Sequence, residues 1–135
     1  YSVFNLAGPS SHTLWGLNLY MSNSIGVTTM IQAGVYNMDS GNLLATSSAI
    51  QVETNGSPQW TTFTISPPQT MIPGNYALCA WFKDFDGGAS PSVYFDATGT
   101  NYYIISIVPG FQSTLDTASA SKYSNTLNIY ANICP

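Results

Sequence analysis

Residues that could carry out catalysis are sparse in this sequence. The only histidine, His12, follows a Gly-Pro-Ser-Ser turn, and no Gly-x-Ser-x-Gly nucleophile motif accompanies it. A Ser-His-Asp arrangement needs no fixed spacing along a chain, but a lone loop histidine is usually a solvated side chain. We therefore expect no nucleophilic active site and predict that the chain is not an enzyme.

The carboxylates are equally few, and they are Asp39, Glu53, Asp84, Asp86, Asp96 and Asp116. Glycoside hydrolysis needs two carboxylates that face each other across a cleft, and Asp84 and Asp86 could point the same way on an extended loop. The run Asp84-Phe85-Asp86-Gly87-Gly88 also resembles the start of a calcium loop, with Asp96 as a candidate further ligand. The later acidic ligand of an EF-hand is missing. We favour a solvated turn over both sites and predict no cofactor.

Aromatic residues offer a different kind of site. The chain has nine Tyr, six Phe and three Trp, and such rings can stack on sugars. Trp81 lies in the most apolar segment and is expected in the core. Trp60 begins a predicted strand, and it is the best surface candidate together with Tyr102 and Tyr103. Core packing is favoured for the aromatics as a whole, so carbohydrate binding is the second hypothesis for function.

Asn55-Gly56-Ser57 is an N-glycosylation sequon on a predicted turn. Asn55 is therefore a candidate glycosylation site if the chain is secreted. The alternative is that Asn-Gly was selected only because this pair favours a tight type I′ turn.

Charge is the most unusual property of the composition. Only 6% of residues are charged, against about 25% in an average domain. Two Lys and no Arg cannot form a basic patch, so nucleic acid is excluded as a partner, and no apolar run is long enough to insert into a membrane. A net charge of −4 opposes self-association only weakly. The chain begins at Tyr1, which fits a mature form without its leader or an expressed fragment, and we expect it outside the cell.

Cys79 and Cys134 are the only cysteines. An even pair in a chain of secreted character predicts a disulfide between them. Two buried thiols in a reducing compartment are the alternative.

Short runs rich in Val, Ile, Thr, Tyr, Phe and Trp recur between turn residues, and helix periodicity is nearly absent. The predicted strands are residues 1–6, 14–21, 28–37, 43–52, 59–66, 75–83, 93–95, 102–108 and 126–133. In several of them, apolar and polar residues alternate. In 75–83, the residues that would point to either face are apolar, so this strand is expected to be covered on both faces. Eight to nine strands in 135 residues predict one all-β domain, a two-sheet antiparallel β-sandwich of jelly-roll-like form.

The order of short motifs resembles a β-sandwich module of secreted bacterial and archaeal surface proteins. The resemblance runs from about Leu14 to Ala131 and rests on Gly-Val-Tyr, Leu-Leu-Ala, a Trp-containing strand, Tyr-Ala-Leu and Ile-Tyr-Ala, at residues 34–36, 43–45, 59–66, 76–78 and 129–131. The chain is also similar to subunits of archaeal extracellular filaments, in which the N-terminal strand of one subunit completes the sheet of the next. That resemblance implies surface attachment, adhesion or assembly.

The N-terminal segment 1–7 has strong β character and precedes a Gly-Pro-Ser-Ser joint. It can pair within its own domain, which is the default, or in a neighbouring copy, where Tyr1, Val3, Phe4 and Leu6 would supply the contacts. The leading hypothesis is a structural subunit that polymerises with itself into an extracellular filament. A carbohydrate- or surface-polymer-binding module is the alternative.

Overall fold

The computed structural model describes residues 1–23, 29–83, 92–96, 102–104, 110–123 and 126–134, with the backbone alone for 83, 95, 96, 102–104, 126 and 127. In these ranges the chain forms thirteen strands and no helix: β1 Ser2–Leu6, β2 His12–Ser22, β3 Thr29–Asn37, β4 Leu43–Thr46, β5 Ile50–Val52, β6 Gln59–Met71, β7 Gly74–Lys83, β8 Ser92–Val93, β9 Phe95–Asp96, β10 Tyr102–Ile104, β11 Ser121–Tyr123, β12 Thr126–Leu127 and β13 Ile129–Cys134. Over this part of the chain, no helix meets the length and hydropathy required to span a bilayer.

Two antiparallel sheets make up the sandwich, as the alternating strands predict. The first sheet has seven strands in the order β11-β10-β1-β7-β3-β4, with β5 also pairing with β3. The second has four, in the order β13-β2-β6, with β8 also pairing with β2. A separate two-stranded pair joins β12 to β9. The first strand of the chain therefore lies inside the larger sheet and not at its edge.

Two of the predicted strands are divided where the chain makes hydrogen bonds outside the regular strand pairing. The predicted strand 43–52 divides into β4 and β5 because Ser47 bonds across to β3: its hydroxyl accepts from the Ala33 N–H at 3.0 Å, and its own N–H donates to the Ala33 carbonyl at 2.9 Å. The predicted strand 126–133 divides at Asn128, whose N–H donates to the Tyr94 carbonyl at 2.9 Å. β11 has no counterpart in the prediction.

β6 is longer than predicted and runs through Pro67 and Pro68. Its register with β2 shifts between Leu14 and Gly16, which pair with Gln69 and Thr64. Both prolines fall in the unpaired stretch opposite this shift and are exposed. A strand tolerates proline where no ladder N–H is needed, which is the condition here.

The main core lies between the two sheets. The alternating residues of β2 and β3 point into it, and it contains Leu14, Leu17, Leu19, Met21, Ile31, Ala33, Val35, Phe63, Ile65 and Met71, each at most 2% exposed. Burial of each of the larger side chains stabilises the fold by roughly 1.5–3 kcal/mol. This core explains why apolar residues occupy alternate positions in β2, β3 and β6.

A second, smaller core covers the outer face of the larger sheet. Tyr36, Ala77 and Cys79 are buried there beneath Phe111 and Leu115. Residues 110–115 form the covering segment over this core. Three hydrogen bonds hold it to the sheet: Leu43 N–H to the Ser113 carbonyl at 2.8 Å, Leu115 N–H to the Gly41 carbonyl at 3.0 Å, and the Tyr36 hydroxyl to the Gln112 carbonyl at 2.8 Å. β7 is therefore covered on both faces, as the apolar residues on both sides of this strand predict.

Gly34 sets how closely this segment approaches. A methyl group added at Gly34 would lie 2.7 Å from Phe111 Cε1, closer than carbon atoms pack. We expect Gly34→Ala to lower the free energy of unfolding by about 1–3 kcal/mol in urea denaturation. In a Phe111→Ala background the same substitution should cost much less, because the ring that it meets is gone. Equal costs in the two backgrounds would contradict this account.

Candidate functional site

Of the assembly residues predicted from the sequence, Val3, Phe4 and Leu6 lie on β1 and Tyr1 directly precedes it, and β1 fills a slot in the larger sheet. β1 pairs with β7 along its whole length, from Ser2 opposite Leu78 to Leu6 opposite Gly74. On its other side, Ser2 lies opposite Tyr102 of β10. A strand in this position has neighbours on both sides, so removing it would leave two unpaired strand edges in the middle of the sheet.

The side chains of β1 divide between the two cores. Phe4 stacks on Tyr76, with ring centroids 5.7 Å apart, and Leu6 is buried in the main core. Tyr1 and Val3 pack against the smaller core on the opposite face. All four predicted assembly residues therefore make apolar contacts across the slot.

A polar network ties β1 to the turn beyond β3. The Asn5 amide donates to Asn75 Oδ1 at 3.0 Å, and the Asn75 amide donates to Asp39 Oδ1 at 3.0 Å. The second Asp39 oxygen accepts the Asn75 backbone N–H at 3.1 Å. Gly74 permits this approach, since a Cβ there would lie 2.7 Å from that oxygen. The bonds from Asn75, side chain first and then backbone, lower the pKa of Asp39.

This network predicts an acid-sensitive contact. Because the folded pKa of Asp39 lies below the ordinary value of about 3.9, its stabilising contribution is present above that pH and is lost as pH falls through the folded pKa. We expect Asp39→Asn to flatten the loss of stability below about pH 4, measured by urea midpoints across pH. Superimposable acid profiles for the two proteins would refute the contact.

A short exposed connection joins β1 to β2. Residues 7–11 are all exposed and carry the chain from the larger sheet to the smaller one. Gly8 has φ of 110°, a backbone conformation that favours glycine and that lets the chain reverse here. At about 3.3–3.6 Å per residue, an extended connection of this length reaches about 17 Å. The connection between β1 and β2 is therefore short and exposed along its whole length.

The predicted disulfide between Cys79 and Cys134 is wrong in this structure. Both cysteines are free: Cys79 is buried and Cys134 is exposed. They belong to different sheets, because Cys79 pairs with Gly34 in β3 whereas Cys134 pairs with Thr13 in β2. Cys79 lies beneath the covering segment on the outer face of its sheet. Cys134 accepts a hydrogen bond from Trp15 Nε1 at 3.0 Å.

The two thiols should therefore react very differently. Burial raises the pKa of Cys79 to about 12, so its reactive thiolate is scarce at neutral pH. We expect iodoacetamide to label one cysteine in the native protein and two in denaturant, counted by intact mass. Cys134→Ser should abolish native labelling. Native protein that takes up no label and gains two mass units on reduction would restore the disulfide.

The outer face of the smaller sheet gathers aromatic rings with amides, and we call it the aromatic–amide face: Tyr20, Trp60, Tyr130, Asn18, Thr62 and Asn132. The Trp60 ring lies 5.1 Å from Tyr20 and 5.0 Å from Tyr130, and Trp60 and Tyr130 are 48% and 47% exposed. Tyr94 extends the cluster at 5.3 Å from Tyr20. The structure thus places the sequence candidate Trp60 on the surface, next to rings that were not predicted to join it.

The polar part of this face is a row beside the rings. Asn18 lies opposite Thr62 on one side and Tyr130 on the other. Its amide donates to Asn132 Oδ1 at 2.7 Å, and its carbonyl oxygen accepts from the Thr62 hydroxyl at 2.5 Å. In the sequence, these polar residues alternate with apolar core residues, and this alternation predicts that they lie on the face of the strand opposite the core. It could not show that they meet across strands.

The remaining predicted sites have separate locations. Asn55 lies on an exposed turn, with φ of 50° followed by 81° at Gly56, so the tight turn is confirmed and glycosylation stays a prediction. Asp84 and Asp86 lie outside the described residues, and for Asp96, Tyr102 and Tyr103 only the backbone is described. Within the described ranges, no group of three or more His, Cys, Asp or Glu side chains could hold a metal ion.

Neither a protein-family model nor a curated protein matches this chain. The slot of β1 and the aromatic–amide face are therefore the features of the molecule from which a function can be proposed.

Proposed function

We propose that this chain is a structural subunit of an extracellular filament, in which β1 of each copy completes the larger sheet of the next. The observation that carries the proposal is the position of β1. It fills a slot between β10 and β7, and the connection 7–11 that leads from it to β2 is short and exposed. A strand in this position can be donated to another copy, provided that the β1 of a neighbour fills the slot that it leaves.

Exchange would conserve the contacts of β1. Every copy has the same slot, so Phe4 would meet the Tyr76 of another copy and Leu6 its main core. Burial of Leu6 contributes roughly 1.5–3 kcal/mol, the partial burial of Phe4 contributes less than that, and the backbone ladder with β7 adds to both. Since these terms are equal in the closed and exchanged forms, exchange is the low-cost route to self-association that domain swapping uses.

The composition supports the same function. With two Lys and six acidic residues, neighbouring copies repel each other only weakly. The resemblance to archaeal extracellular filament subunits points in the same direction, because it implies strand donation by the N-terminal segment. An extracellular location fits a surface composed of Ser, Thr, Asn and Tyr.

Closure of β1 within its own chain competes with exchange. A short flexible tether gives an effective concentration in roughly the millimolar range, so closed monomers should dominate in dilute solution. Polymers should form when the protein is refolded at high concentration, or where secretion concentrates it at a surface. We expect assembly to depend steeply on concentration.

Cysteine crosslinking distinguishes the two forms. Asn5 and Asn75 are opposite in register, exposed, and bonded through their side chains at 3.0 Å. We would place Asn5→Cys and Asn75→Cys in a background with Cys79→Ala and Cys134→Ala, refold it at high concentration, and oxidise it. On a non-reducing denaturing gel we expect a ladder of covalent multimers, because each bond joins two copies.

The matched control is Thr13→Cys with Thr70→Cys, a cross-strand pair of β2 and β6 in the same background. It should give crosslinked monomers under every condition, because β1 takes no part in it. Crosslinked monomers from the β1 pair in assembled material would refute strand exchange. Failure of the protein to assemble at any concentration, by light scattering and negative-stain imaging, would refute the filament.

A further inference from the structure

We infer that the aromatic–amide face binds a neutral carbohydrate chain. This face belongs to the smaller sheet, whereas β1 belongs to the larger one, so sugar binding and strand exchange use different surfaces. The inference therefore goes beyond the proposed function and stands independently of it.

The rings supply the apolar contact that a sugar needs. Trp60 is 48% exposed and is supported on two sides by Tyr20 and Tyr130, so its indole is held in place before any ligand arrives. The face of an aromatic ring carries partial negative charge and attracts the C–H bonds on the apolar face of a pyranose. A ring that is already positioned loses little conformational entropy on binding.

The inclination of the rings indicates what kind of chain fits. The planes of Tyr20 and Tyr130 are inclined to that of Trp60 by 40° and 65°. Rings at these angles form an uneven surface and cannot all lie against one plane. The face is therefore suited to a single flexible chain that wraps over the indole and not to the flat surface of a crystalline polymer.

The amide row supplies hydrogen bonds at the right distance. Asn18, Thr62 and Asn132 each lie two residues along a strand from an aromatic residue, which is about 7 Å. A sugar on the indole therefore brings its hydroxyl groups over this row. Amides and hydroxyls both donate and accept, as sugar hydroxyls do. Asn18 is only 6% exposed, so the groups that a sugar can reach are those of the exposed Thr62 and the half-buried Asn132, and the bonds that Asn18 makes to them, at 2.5 and 2.7 Å, fix their orientation.

The absence of charge on these strands indicates a neutral ligand. β2, β6, β8 and β13 contain no Asp, Glu, Lys or Arg. An anionic polysaccharide would find no cation on them to pair with, and a charged peptide would lose hydration without compensation. Binding should therefore be insensitive to salt.

The test measures binding of malto-, cello-, manno- and N-acetylchito-hexaose by isothermal titration calorimetry and by tryptophan fluorescence, with heparin as an anionic comparison. We expect at least one neutral hexaose to bind, with an affinity that is unchanged between low and high salt. Trp60→Ala should weaken that binding by about tenfold or more, as the loss of a central aromatic contact does elsewhere.

Trp15→Ala is the matched control. Trp15 lies on the same sheet, at the register shift of β2, and is 52% exposed, but it is outside the aromatic–amide face. It should leave the affinity within about twofold of the parent protein, a difference well below 1.4 kcal/mol. Thermal melting of both variants checks that the fold is retained, and Asn132→Ala provides a second variant that leaves the ring cluster in place.

Several outcomes would overturn the inference: no binding of any of the four hexaoses, binding of heparin alone, or equal losses in Trp60→Ala and Trp15→Ala. A Trp60→Ala variant that fails to assemble, from a parent protein that binds no sugar, would assign the face to a second copy of this chain. The sugar titrations of the parent protein do not bear on the crosslinking of β1, so the two proposals fail separately.

Discussion

Strand β7 has to bury both of its faces, and the arrangement of the larger sheet follows from that requirement. On one face, Tyr76 and Leu78 pack into the main core between the sheets. On the other, Ala77 and Cys79 would be left against water if the sandwich had only two layers. The segment around Phe111 forms a third layer there and removes this apolar surface from solvent. β7 also holds β1 on one side and β3 on the other, so the slot for the first strand depends on it.

The smaller sheet obeys a different constraint. Along its strands, apolar residues at alternate positions pack into the main core. The residues between them are neutral polar or aromatic and face outward. Neutral hydrogen bonds, such as those that the buried Asn18 makes to Thr62 and Asn132, hold the polar side chains of this second group in place. Such bonds are directional and are not screened by salt, so the outer face keeps a defined arrangement across ionic strengths.

In the filament that we propose, the first strand would have two competing positions with the same contacts. Closure within the chain would be favoured by the tether, whereas exchange would be favoured by high concentration and by weak repulsion between copies. The balance is therefore one of population and not of new interactions. Asn5, Asn75 and Asp39 would close the rim of the slot in both positions, because their bonds depend only on register.

The sequence by itself determined the fold class, most strand positions and the face on which each alternating residue lies. These features are local: a strand repeats every two residues, so Leu17, Leu19 and Ile31 identify the core side without knowledge of any neighbour. The apolar residues on both sides of the strand 75–83 likewise indicated that other parts of the chain cover both of its faces. What the sequence could not supply was the order of strands in the sheets, because pairing joins segments that are distant along the chain.

The tertiary structure alone decided the features that depend on strand order. Cys79 and Cys134 are separated because they lie in different sheets. Residues 110–115 are the segment that covers the outer face of β7. The tertiary structure also brought Trp60, Tyr20 and Tyr130 together from three strands. Register is the physical reason, since a shift of one residue would turn each of these side chains to the opposite face. A local pattern records which face a residue prefers, while its neighbours on that face are set by the whole fold.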